Sequence, residues 1–150
     1  MKQALKTILL AGIVAGILDG VSAVVILGKL DFAAVWKYVA SGYFGKSAFA
    51  GGNEMVIYGL LFHFTIALSW AIAYYLVFAK INFFSNYPIL GGLLFGILIW
   101  SVMAFLVLPF SNIPKRAFSG IGAIKNAAIL MICVGLPISL ITNKFSKRQF

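Results

Sequence analysis

Apolar residues run along the chain in four long blocks separated by polar or glycine-rich stretches. The blocks are Thr7 to Gly28, Met55 to Ala79, roughly Pro88 to Leu108 and roughly Ile121 to Thr142. Each holds about 20 to 25 residues, enough for a helix to cross a bilayer with some tilt. Backbone N–H and C=O groups find no water in hydrocarbon, so each block is expected to pair them internally as a helix. A transmembrane β-barrel needs ~10-residue alternating segments instead. Runs such as Ile89-Leu90-Gly91-Gly92-Leu93-Leu94-Phe95 do not alternate. The pattern predicts an all-α polytopic membrane protein: one transmembrane domain over residues 1–150, with four spanning helices.

The connections differ in kind. Lys80 to Tyr87 reads as a tight turn, with Phe83, Phe84 and Tyr87 suited to the headgroup level. Ser111 to Ser119 carries Pro114, Lys115 and Arg116. Lys29 to Glu54 is the long connection. Within it Phe32, Val35, Trp36 and Val39 recur at helical spacing, and Asp31 is placed to cap that helix. A short amphipathic helix in an interfacial or re-entrant first loop is expected. Gly42, Gly45, Gly51 and Gly52 then break regular structure.

Composition sharpens this picture. Of 150 residues, 63% are hydrophobic and only 10% charged, against about a quarter charged in soluble domains. Mean hydropathy is +1.06. A soluble globular protein, a disordered tail and a nucleic-acid-binding module are excluded. The net charge of +9 reads as Lys and Arg placed near anionic headgroups rather than as a nucleic-acid surface. Lys2, Lys6, Lys80, Lys144, Lys147 and Arg148 fall on one side; Lys29, Lys37, Lys46, Lys115, Arg116 and Lys125 fall on the other. The dense Lys144 to Arg148 tail tips the reading towards cytoplasmic termini. Lys125 is expected to snorkel its amine to the surface. Lys2 and Lys6 before an apolar run, with Val21-Ser22-Ala23 after it, resemble a cleavable leader. The apolar stretch continues to Leu27, however, and Asp19 would precede the cut, so a retained span is expected. Cys133 is the single cysteine, so no internal disulfide can form.

Lipid is as apolar as leucine, so spanning helices associate where small residues let backbones approach. Gly12, Gly16 and Gly20 form such a row on the first span, and Gly59, His63, Ala67 and Ala71 on the second. Gly92 and Gly96, then Ala123 and Ala127, continue the theme, and Gly135 with Pro137 marks a kink. His63 therefore lies in a stripe that a neighbour should approach.

Helical rise then assigns depths. Counted from the span ends, Asp19 and His63 lie about 13 and 12 Å below the loop-side face, Ser101 about 10 Å and Asn126 about 8 Å. These four residues are the candidate proton or small-solute site. Charge at membrane depth costs ~2.5 to 3.5 kcal/mol on an insertion scale, so Asp19 needs a partner, a proton or a wet pocket. Imidazolium beside carboxylate favours both charges, whereas removal from water favours the neutral pair. Such a pair can titrate as a unit. Structural readings stand beside this one: His63 as interhelical glue, and Ser101 bonded to its own backbone. Gly42, Gly45, Lys46, Gly51 and Gly52 are candidate lid residues folded back over Asp19 and His63.

Ala40-Ser41-Gly42-Tyr43-Phe44-Gly45-Lys46-Ser47 imitates a relaxed phosphate loop, but no strand precedes it and no sheet mounts it, so nucleotide binding is not expected. One histidine, one cysteine and three acids make no convincing metal site, and no cofactor is expected.

Three stretches, Ala15-Gly16-Ile17-Leu18-Asp19-Gly20, Ala40-Ser41-Gly42 through Ala48-Phe49-Ala50-Gly51-Gly52, and Gly59-Leu60-Leu61-Phe62-His63-Phe64, resemble a widespread family of small uncharacterised bacterial inner-membrane proteins, more distantly the YagU proteins. The resemblance implies an inner-membrane location and no established activity. The residues themselves favour binding or transport of a proton or small solute at Asp19 and His63. The alternative is a non-transporting assembly or lipid-interacting subunit. An intramembrane enzyme with His63 as general base is a third reading. Four short helices enclose little volume, which makes a homodimer a further expectation.

Overall fold

The computed structural model describes residues 2–115, 117 and 119–146, and among these every regular element is helical. In chain order the helices are α1 (Lys2–Ser22), α2 (Phe32–Phe44), α3 (Ser47–Ala50), α4 (Asn53–Leu76), α5 (Asn82–Asn86), α6 (Pro88–Val102), α7 (Leu108–Phe110), α8 (Gly120–Ile129) and α9 (Leu136–Ser146). Wider π turns in the first, third and fourth, and a tighter 3-10 turn at Phe78–Lys80 in the second, complete four spans: Lys2–Leu27, Asn53–Lys80, Pro88–Phe110 and Gly120–Phe145. Each is long and apolar enough to cross a membrane. Large apolar side chains such as Leu9, Ile17, Ile57, Leu61, Phe105 and Ile132 are exposed along them, as expected of surfaces that meet lipid tails.

Two of the π turns have a local cause. Met103–Val107 and Leu130–Gly135 each end two residues before a proline, Pro109 and Pro137. Proline has no N–H for the carbonyl four residues back, and a widened turn accommodates that gap. The third π turn, Ala23–Leu27, closes with Gly28 N–H donating to the Ala23 carbonyl at 2.7 Å. Lys29 and Leu30 then take positive φ values of 48° and 70° and reverse the chain into α2.

The glycine rows meet backbone and side chains of neighbours. A methyl group on Gly12 would strike Leu68, and one on Gly16 would come 2.7 Å from Phe64. Gly96 abuts the Met131 backbone, and Gly135 abuts the carbonyl of Gly92. Gly59 belongs to a different contact: it faces the Trp36 backbone of α2, not the first span. The small-residue stripe of α4 is thus shared between two neighbours. Gly59 lies six residues, about 9 Å, into α4, so α2 is set against the flank of the second span. Asp31 caps α2 as expected, its carboxylate accepting from Ala34 N–H at 2.9 Å.

The core cluster belongs to the half of the bundle nearer the termini. Ala11, Ala15, Ala71, Tyr74, Phe95, Ile99, Val134 and Ile138 are buried together there. The loop-side half holds α2 and the two ionisable residues of interest.

Candidate functional site

Antiparallel first and second spans bring Asp19 and His63 together. Asp19 Oδ2 lies 3.9 Å from His63 Nδ1. The other imidazole nitrogen, Nε2, lies 2.8 Å from the Gly16 carbonyl oxygen. A carbonyl only accepts, so Nε2 carries a hydrogen and donates it. Nδ1 is left facing the carboxyl. Gly16 and Gly20 permit this geometry: a methyl on Gly20 would stand 3.4 Å from His63 Nε2 and 2.9 Å from the Trp36 ring. Small residues thus admit an imidazole onto a helix backbone.

Aromatic rings fix the imidazole from two sides. Trp36 of α2 meets it edge-on with centroids 5.1 Å apart, and Phe64 at 5.4 Å. The Asp19 side chain keeps 21% of its area accessible and that of His63 keeps 12%. The pair is therefore covered but not fully enclosed by the chain. Beside it runs an apolar groove of about 280 Å³ whose walls include Gly16, Ile17, Gly20, Phe32 and Trp36. Neither the carboxyl nor the imidazole is among its lining residues.

Ser101 and Asn126 lie at another level. Ser22 Oγ and Cys133 Sγ touch at 3.2 Å and set the register of the first and fourth spans. Asn126 is seven residues outward of Cys133, about 10 Å, while Asp19 is one turn inward of Ser22. Gly96 against Met131 sets the third span beside the fourth; Ser101 and Asn126 are each five residues outward of that contact and so share a level. Ser101 donates to its own helix, to the Ile97 carbonyl at 2.9 Å. Depths counted from span ends merge two levels that helix-to-helix contacts separate.

The expected lid is also built differently. Gly42 lies inside α2, Gly45 ends it with φ of 63°, Lys46 is exposed, and Gly51 and Gly52 turn the chain into α4. Asn112, from the connection between the third and fourth spans, ties down the end of α2: its N–H donates to the Gly42 carbonyl at 3.0 Å and its side-chain amide to the Tyr43 carbonyl at 2.8 Å. Trp36, not the glycines or Lys46, packs against His63. The segment resembling a phosphate loop is helical from Ala40 to Phe44.

A second polar cluster escapes the sequence pattern. Tyr74 O–H, Ser139 and Asn143 are buried together near the termini. Ser139 Oγ donates to the Pro88 carbonyl at 2.7 Å. That commits its hydrogen, so Tyr74 O–H donates to Ser139 Oγ at 2.7 Å. The Asn143 amide donates to Tyr74 Oη at 3.2 Å and to the carbonyls of Phe84 and Ser139 at 3.2 and 2.9 Å. The chain of donors clamps the second, third and fourth spans. Its only signal in the sequence is a run of polar residues, Ser139, Thr142 and Asn143, at one end of the fourth span.

Among the described residues no three His, Cys, Asp or Glu side chains gather where a metal ion could be held. Fold and site together define an all-helical chain with four helices long and apolar enough to cross a membrane and a carboxyl–imidazole pair between the first two. No family model, curated protein or solved structure matches the chain.

Proposed function

We propose that this chain is a small bacterial inner-membrane protein that binds a proton or small solute at Asp19 and His63 and moves it by exposing that site in turn to each side. The observation that carries the reading is the placement of one imidazole: Nε2–H held by the Gly16 carbonyl at 2.8 Å, with Nδ1 facing the Asp19 carboxyl across 3.9 Å, beyond direct hydrogen-bond distance. A carboxyl and an imidazole this close can exchange a proton through one bridging water or a small side-chain movement. Gain or loss of that proton changes the charge of the site by one. The packed half around Tyr74, Phe95, Ile99 and Ile138 argues against a standing pore, so transfer requires that half to open. Both termini face the cytoplasm in this reading, as the density of Lys and Arg near the C-terminus supports.

The test is proton flux into liposomes containing the purified protein, followed with an enclosed pH-sensitive dye under an imposed gradient. Wild-type protein is expected to acidify the lumen. Asp19→Asn and His63→Gln are expected to reduce the rate about tenfold or more, the loss typical of a missing proton-transfer group, while unfolding at unchanged temperature. Absence of flux in wild-type protein, for protons and for small cations alike, contradicts the reading.

The packed core also favours a second reading, a lipid-interacting subunit that transports nothing. Under it Asp19→Asn alters stability or partner recovery alone.

A further inference from the structure

A second groove, of about 340 Å³, lies between the first and fourth spans, on the face of α1 that also carries Asp19. Its walls are Ile26, Ala128, Ile129 and Ile132; Ser22 and Cys133 lie at its inner end and Lys125 at its outer end. The Ser22–Cys133 contact fixes the levels. Lys125 is eight residues outward of Cys133, about 12 Å, which places it beside the end of the first span, where Gly28 closes the last turn. A cation thus stands at the polar boundary above an apolar trough that points into the membrane.

Among the described residues, none of the three acidic side chains answers that cation. Asp19 faces His63, Asp31 caps α2 through Ala34 N–H, and Glu54 accepts from Gly52 N–H. Among the described residues no carboxylate pairs with Lys125. The cation and the apolar trough beside it together match a ligand with an anionic head and an apolar tail. We infer that this groove is a binding site for one anionic phospholipid, its phosphate on the Lys125 amine and an acyl chain along Ile26, Ile129 and Ile132 as far as Cys133. The inference does not rest on the transport reading.

Cys133 makes the test direct, because it is the single cysteine and lies at the inner end of the trough. Its alkylation by a maleimide is timed in detergent micelles while phosphatidylglycerol or phosphatidylcholine is added. Phosphatidylglycerol is expected to half-protect the thiol at an about fivefold lower concentration than phosphatidylcholine, the preference one Lys confers near an anionic surface. Lys125→Gln is expected to abolish that preference and Lys125→Arg to keep it. Equal protection by both lipids, protection by neither, or a preference that survives Lys125→Gln overturns the site. Unchanged alkylation of lipid-free Lys125→Gln serves as the folding control, and a variant that fails it is replaced by Lys125→Met.

Discussion

An imidazole reaches the carbonyl of Gly16 because positions 16 and 20 of α1 carry no side chain. The pairing of His63 with Asp19 was legible in the sequence, but the bond to the Gly16 carbonyl was not. Three glycines spaced by four mark where a helix can approach, and opposed chain directions bring residues of similar depth level. Ser101 and Asn126 were not placed correctly by the same arithmetic, because depth counted from span ends carries no information about how neighbouring helices slide. The clamp around Tyr74 was invisible, since it depends on side-chain rotamers and on carbonyls in a turn. Its members make a graded expectation. Tyr74→Phe leaves Ser139 bonded to Pro88 and Asn143 bonded to two carbonyls, so it should cost about 0.5–1.5 kcal/mol. Ser139→Ala removes the acceptor of a buried Tyr74 O–H and should cost more, about 1–3 kcal/mol. Denaturant unfolding in micelles orders the two; the reverse order contradicts the assigned direction of the hydrogen bonds.

At the scale of elements, α2 was foreseeable from Asp31 and the Phe32, Val35, Trp36, Val39 spacing, but its seat was not. Gly59 looked like part of the face against the first span and instead receives the Trp36 backbone. Gly59→Ala places a methyl where backbone already stands, an overpacking that typically costs 1–3 kcal/mol. Release of α2 should expose Trp36, which is 4% exposed in the native fold, and shift its fluorescence to longer wavelength in a Trp70→Phe, Trp100→Phe background. An unshifted spectrum contradicts the contact. The link before α2 carries strain of its own. Leu30 has φ of 70° and 73% exposure, so Leu30→Gly relieves a left-handed backbone while losing little burial. A gain of up to about 1 kcal/mol is expected, read as a higher unfolding midpoint; a lower midpoint contradicts it.

The whole molecule divides into two halves of different character. Near the termini, aromatic and aliphatic side chains fill the bundle and a hydrogen-bonded clamp ties three spans together. Towards the loops, glycine contacts, a helix on the flank and a carboxyl–imidazole pair replace that dense packing. The sequence announced four spans through their length and apolarity, yet not this division, because hydropathy measures contact with lipid and not the order of side chains inside. The proposed function depends on the His63 imidazole standing between the Gly16 carbonyl and the Asp19 carboxyl. The chain contains a single histidine, so nitrogen-15 NMR of histidine-labelled protein in bilayers reads that imidazole without assignment. Neutral imidazole with its hydrogen on Nε2 is expected, together with an Nδ1 resonance that shifts in Asp19→Asn. Neutral imidazole protonated on Nδ1, or an Nδ1 resonance identical in wild-type protein and Asp19→Asn, would contradict that placement.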